Sequence, residues 1–352
     1  MKKTSIVVPS YAYTYVRLGY LKNLIMDDFT LQKLSRFKDI KDLIDYIKPY
    51  YPGLKIKAFT IEEIEKAIYH IYIKLIGRIL LLSPDNLRNF LRVYLLRYEI
   101  MNVKFLILGA IVGMRVHEKE ININFLVEKY LENTNFINNL ISIQNLEEIQ
   151  LYMKGTRYER AVKEGILYFN NTNEIFVLES SLDRIYYESL IREKRFYNKK
   201  EKLILHTFID FTTEIYNINM IFRGIINNIN KDLLAQFIIH NYLFLDNQKI
   251  LELLYQKNTE DFISLIEFYF KKDGRINIFL NKIQIKREHF IWSIEALYLE
   301  YFFKKHLIIL GDIELSTIFR ITELLLKKEK EIKFNILPNV VKIIHKKYEQ
   351  LQ

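Results

Sequence analysis

Three stretches of the chain repeat one another: Glu99-Ile-Met-Asn102-Val-Lys-Phe-Leu, Glu214-Ile-Tyr-Asn217-Ile-Asn-Met-Ile-Phe-Arg223 and Asp312-Ile-Glu314-Leu-Ser-Thr-Ile-Phe-Arg320. Each reads as an amphipathic helix. Val103, Leu106, Ile107, Ala110, Ile111 and Met114 recur at three- and four-residue steps in the first copy. Ile215, Ile218, Phe222, Ile225 and Ile229 do so in the second, and Leu315, Ile318, Phe319 and Leu326 in the third. That spacing puts each set on one stripe of a 3.6-residue helix. With Asn102, Asn217 and Glu314 aligned, the copies stand 115 and 97 positions apart. Solenoid repeats run about 20–50 residues, so this longer unit predicts three large helical repeats, at 1–125, 126–235 and 236–352, packed as a single body.

The residues between the copies favour the same class. Only 10 glycines and 5 prolines punctuate 352 residues, which argues for long helices over a many-stranded fold. Half the chain is hydrophobic, enough to bury a large core. Thr60-Ile-Glu-Glu63 has the form of a capping box opening a helix to Leu82, stopped by Ser83-Pro84-Asp85. A second helix then carries Leu87, Phe90, Leu91, Tyr94 and Leu95 towards the first copy. Shorter helices are expected at Ile40–Ile47 and Asn145–Ile149. Others are expected from Leu182 after Ser181, over 202–228, and over 290–303, leading through His306 and Gly311 to the third copy. Ile166–Phe169 and Ile175–Leu178 flank Asn170-Asn-Thr-Asn173 and fit a short β-hairpin as well as a loop. The fold class is therefore all-α, with that hairpin as the one open exception.

Few chemistries remain. With no cysteine, disulfides, thiolate metal sites and cysteine nucleophiles are excluded. The seven histidines never fall in a His-x-x-x-His frame, the spacing that places two ligands on one helix face. No phosphate loop, Gly-x-Gly-x-x-Gly or Gly-x-Ser-x-Gly is present. Pairs such as Glu62/Glu63 and Glu147/Glu148 point to different helix faces, a poor acid–base arrangement. No catalytic, cofactor or metal site is expected. The net charge of +10 is spread along the chain, and its densest run, Lys327–Lys333, is interleaved with acids. That pattern suits a solvated helix face better than a nucleic-acid arm. The 49 Tyr and Phe residues fit core packing at helical spacing better than base stacking.

Met1–Pro9 resembles the start of a signal peptide, but the apolar stretch breaks at Pro9 and Arg17 follows early. Phe105–Met114 is too short to span a bilayer, which needs about 20 residues. Its Gly109-x-x-x-Gly113 is expected to allow close helix packing in a core.

Two polar positions stand out. Arg223 and Arg320 each follow an Ile-Phe pair. They read either as equivalent arginines on a partner-binding surface or as arginines paired within their own repeats. Asn217 lies about 240° from Arg223 around a helix, so the two do not share a face.

The repeated Asp/Glu-Ile-x-Asn helix resembles the internal repeats of a V-type and archaeal-type ATPase component, the C subunit of prokaryotes and d subunit of eukaryotes. Tyr11-Ala-Tyr-Thr-Tyr-Val-Arg17 is similar to that family's opening tyrosine-to-arginine segment, and Leu182-Asp183-Arg-Ile-Tyr186-Tyr187 to its Leu-Asp-x-x-Tyr-Tyr element. The matches run from residue 11 to about residue 330. Tyr15 stands where the family has a first arginine, Leu108 where the other copies have arginine, and Glu314 in an asparagine slot.

The resemblance implies a funnel-shaped body of three pseudo-symmetric repeats. It implies a non-catalytic rotor subunit on the cytoplasmic face of the membrane, peripheral, between the central shaft of the ATP-hydrolysing head and the ring of ion-carrying subunits. The ion is a proton or sodium. Arg17, Asn102, Asn217, Arg223 and Arg320 are the candidate partner contacts. The alternatives are a helical adaptor binding peptides outside any ATPase, and a nucleic-acid-binding protein.

Overall fold

The computed structural model describes residues 10–307 and 312–349. The Met1–Pro9 stretch and Gly311 lie outside the described residues. Helix follows helix: α1 (Ser10–Leu21), α2 (Asp28–Leu34), α3 (Ile40–Ile47), α4 (Ile61–Leu82), α5 (Asp85–Ile111), α6 (Val116–Asn122), α7 (Phe125–Leu131), α8 (Thr134–Ser142), α9 (Leu146–Tyr152) and α10 (Glu159–Thr172). There follow α11 (Phe176–Glu193), α12 (Lys199–Ile226), α13 (Lys231–Ala235), α14 (Asn247–Leu254), α15 (Thr259–Lys272), α16 (Asn277–Leu280), α17 (Phe290–His306), α18 (Ile313–Lys330) and α19 (Leu337–Glu349), the last two joined by a π-helical stretch, Glu331–Ile336. No strand occurs among the described residues.

The described residues fall into two compact units. One lies within Met1–Gly109, Gly113–Ser142 and Gly311–Gln352, the other within Ala110–Val112 and Ile143–Leu310. The first is organised on α4, which meets α1, α7, α18 and α19, while α3 packs on α19 and α2 on the π-helical stretch. Ile64, Ile68, Tyr72, Ile76 and Ile79 line the buried side of α4. The second is organised on α12, which meets α11, α13, α14, α15 and α17. Ile204, Leu205, Phe208, Ile209, Ile218 and Ile221 are its buried stripe. Each such side chain contributes about 1.5–3 kcal/mol by leaving water.

Side-chain caps open two of the long helices, α12 three residues before its expected start at 202. Thr60 accepts the Glu63 N–H at 3.3 Å, and Asn198 caps α12 through the Lys200 and Glu201 N–H groups, with Glu201 returning a bond to the Asn198 N–H. Gly109 and Gly113 serve different ends. Gly109 is buried against the Lys119 side chain. Gly113, at φ +72°, terminates α5, and the Met114 N–H turns back to the Gly109 carbonyl at 2.7 Å.

The hairpin is not formed. Ile166–Phe169 belongs to α10 and Ile175–Leu178 spans the start of α11, with Asn173 at φ 60° ending the first helix. Gly165 explains the choice: a Cβ there would stand 2.6 Å from the Leu178 Cα, so its absence lets the two helices close on each other. Val162, Ile166, Val177 and Leu178 are buried, and helix packing overrides the strand preference of Ile, Phe and Val. Ser181-Leu182-Asp183 accordingly lies inside α11, which begins at Phe176.

The third copy sits differently in its helix. Glu99 and Glu214 lie near the middles of α5 and α12, whereas Asp312 is the N-cap of α18 and Glu314 sits in its first turn. Farther along, the π-helical stretch carries a further Glu-Ile pair with an asparagine after it, Glu331-Ile332-Lys333-Phe334-Asn335. Glu331 follows Glu214 by 117 positions, and Glu214 follows Glu99 by 115.

Candidate functional site

Three glutamates, Glu99, Glu214 and Glu331, point inward. Glu214 is fully buried. Its Oε2 accepts the N–H groups of Leu243 at 2.5 Å, Phe244 at 3.0 Å and Leu245 at 3.1 Å, and its Oε1 accepts the Tyr298 hydroxyl. Burial pushes its carboxyl up to about 7, against the pull of those donors. Glu331 accepts the Met26 N–H at 2.7 Å, the Tyr51 hydroxyl at 3.3 Å and the Lys328 ammonium at 2.6 Å. Burial raises the Glu331 carboxyl and lowers the Lys328 ammonium. Glu99 accepts the Asn133 side-chain amide at 2.9 Å.

The asparagines work as two-way clamps on the backbone. Asn217 Nδ2 donates to the Ile239 carbonyl at 2.7 Å, and its Oδ1 accepts the Ile239 N–H at 2.9 Å. Asn102 makes the same pair of bonds with Asn124, at 3.4 and 3.3 Å, and also donates to Glu128 Oε1 at 2.8 Å. In both copies the clamped residue lies 22 positions on. A loop following a long helix is thereby tied back to it, with its buried backbone groups satisfied. Next to Glu331, Glu329 gathers Arg97 at 2.8 Å, Lys333 at 2.5 Å and the Tyr94 hydroxyl at 2.9 Å. Those cations hold its carboxyl well below the usual carboxylate range.

The five candidate contact residues thus separate. Asn102 and Asn217 are buried and internal. Arg320 in α18 stacks on Tyr15 of α1, 3.9 Å from ring centre to guanidinium, and donates to its hydroxyl at 2.8 Å. The tyrosine at an expected arginine position is therefore the seat of another arginine. Arg17 is exposed, 5.4 Å over the Tyr13 ring. Arg223, in the second unit, is exposed and makes no ion pair among the described residues. The Leu182–Tyr187 element bonds within its own unit: Tyr187 lies 4.2 Å from the Tyr216 ring, and the exposed Arg184 donates to the Gln236 carbonyl at 3.0 Å.

Two features escape the sequence signals used above. Tyr13, Val16 and Tyr20 form an exposed face of α1 beside Arg17, legible as an i, i+3, i+7 series. The Lys328–Glu331 pair, buried at 2% exposure on both sides, looks in sequence like part of a solvated charge run. Among the described residues no group of His, Asp and Glu is placed to hold a metal ion. No helix among them is long and apolar enough to cross a membrane.

Residues 15–337 match the family described as the ATP synthase (C/AC39) subunit. Relatives include the C subunit of the A-type ATP synthase of Methanocaldococcus jannaschii, 25% identical over 274 residues, covering 75% of this chain and 67% of the relative. The corresponding A-type C subunit of Pyrococcus furiosus is 24% identical over 232 residues, covering 65% and 60%. That of Methanosphaera stadtmanae is 23% identical over 260 residues, covering 73% and 66%. The matched stretches span roughly two thirds of these relatives' lengths or less.

Proposed function

This chain belongs to the ATP synthase (C/AC39) subunit family, and on that premise we propose that it is a non-catalytic central-stalk subunit of a V/A-type rotary ATPase. In this reading it joins the shaft of the ATP-hydrolysing head to the membrane ring of ion-carrying subunits, on the cytoplasmic face, and turns with them. The observation that carries the reading is the family match over nearly the whole chain. Two structural features support it. A part that transmits torque must resist shear, and the buried clamps at Asn102, Asn217, Glu214 and Glu331 tie loops to long helices within each unit. The exposed side chains of Arg223 and of the α1 face are open to partners. The division into repeats at 1–125, 126–235 and 236–352 belongs to the same proposal.

Coupling tests it. Membranes of the source carrying the ATPase without this subunit should hydrolyse ATP without moving ions, and adding the purified chain should restore ion movement. Full ion transport in its absence would defeat the proposal.

A further inference from the structure

A half-open cleft lies among α4, α18 and the turn that follows α3, all in the first unit. It has about 350 Å³ of free space, its mouth included. Tyr50, Tyr51 and Ile71 are among its walls. Every charged residue that lines it is a cation: Lys74, Arg78 and Lys328.

Lys74 and Arg78 stand one turn apart on α4. Both are exposed, and neither makes a hydrogen bond or an ion pair among the described residues. Lys328 is buried, at 2% exposure. Its ammonium donates to Glu331 Oε2 at 2.6 Å and to the Tyr50 carbonyl at 3.3 Å, and the Tyr51 ring centre is 4.0 Å away. An ammonium carries three N–H groups, and the third meets no acceptor oxygen among the described residues. Glu331 balances the charge of Lys328. It also opens the π-helical stretch, a register found frequently at functional sites.

The cleft therefore presents two uncompensated positive charges and, deeper in, one spare N–H. Like charges four residues apart on a helix repel, and a buried N–H without an acceptor is costly. One small group with two negative charges and several acceptor oxygens removes both difficulties. A carboxylate brings one charge. A phosphate group at neutral pH brings nearly two, with three strong acceptor oxygens, and a guanidinium can grip two of them at once. We propose that this cleft is a binding site for a phosphate dianion, held by Lys74 and Arg78 at the mouth and by the Lys328 ammonium beneath. The tyrosine and isoleucine walls leave room beside the phosphate for whatever molecule carries it. The inference stands independently of the rotor assignment.

Isothermal titration of the full chain with inorganic phosphate at low ionic strength tests this, with acetate at matched ionic strength as the monoanion. Phosphate should saturate one site and bind at least about tenfold more tightly than acetate. Lys74→Gln/Arg78→Gln should weaken phosphate binding at least about tenfold, with the helical signal and melting temperature kept, because both side chains are exposed. Lys163→Gln/Lys257→Gln removes the same charge at exposed positions outside the cleft and should bind phosphate as the wild type does. Absence of saturable phosphate binding, equal binding of acetate, or equal losses in the two double variants would overturn the proposal. A second arm identifies the source of the phosphate. Flotation with phosphatidylcholine vesicles containing phosphatidate, lost in Lys74→Gln/Arg78→Gln, places it on a lipid headgroup. Binding of inorganic phosphate without flotation places it on a soluble molecule.

Discussion

Asn217 and Ile239 hold each other through both backbone groups of Ile239, with bonds of 2.7 and 2.9 Å in a fully buried setting. The side chain replaces the two partners a strand neighbour would give. Asn217→Ala should destabilise the protein by about 2–4 kcal/mol, because it leaves a buried N–H and C=O unsatisfied. Asn102→Ala, whose backbone bonds are longer and less buried, should cost about 1–2 kcal/mol. Urea unfolding of the two variants checks the order.

Glu214 gives stability a pH dependence. Its folded value near 7 lies above its ordinary 4.5. The stabilisation relative to a variant that cannot ionise is fully present below pH 4.5, and is lost as pH rises through 7. The shift corresponds to about 3 kcal/mol in all. The stability difference between wild type and Glu214→Gln should therefore shrink from pH 4.5 to 7 and then level off. A difference that grows over that window would contradict this.

Lys328 and Glu331 should behave as a coupled pair. Lys328→Met alone strands a buried carboxylate and should cost about 3–5 kcal/mol. The double variant Lys328→Met/Glu331→Gln keeps an acceptor for the Met26 N–H and removes both charges. Its loss should be smaller than the sum of the single losses by about 1–3 kcal/mol. Thermal or urea unfolding of the four proteins completes the cycle.

The two arginines should separate stability from binding. Arg320→Glu loses its stacking and hydrogen bond on Tyr15, and should destabilise the protein by about 1–2 kcal/mol. Arg223→Glu, exposed and outside any ion pair among the described residues, should leave stability within about 0.5 kcal/mol but weaken binding of purified shaft subunits about tenfold if it faces them. Unchanged shaft affinity would remove Arg223 from the interface.

Helix positions are legible in the sequence because their signals are local: Thr60, Asn145 and Pro84 mark ends, and the apolar stripes mark faces. The segment around Asn170–Asn173 resists such reading because short apolar runs of Ile, Phe and Val suit strand and helix alike. Gly165 decides for helix only through its contact with Leu178, across the Asn170–Asn173 turn. Burial of Glu331 is hard to read for a related reason: its Glu-Ile pair stands in a run of lysines and glutamates that looks solvated. Asn102 and Asn217 stand out in sequence, yet nothing local shows that they face inward. Their clamps join positions 22 residues apart, and the Glu331 contacts with Met26 and Tyr51 join opposite ends of the sequence, which no periodicity reveals.

The rotor assignment is tested most directly by recovering the tagged protein from membranes of its own source and identifying what accompanies it by mass spectrometry. The account predicts the catalytic subunits of the ATPase head together with the membrane ring protein. Recovery of soluble partners or nucleic acid alone would contradict it.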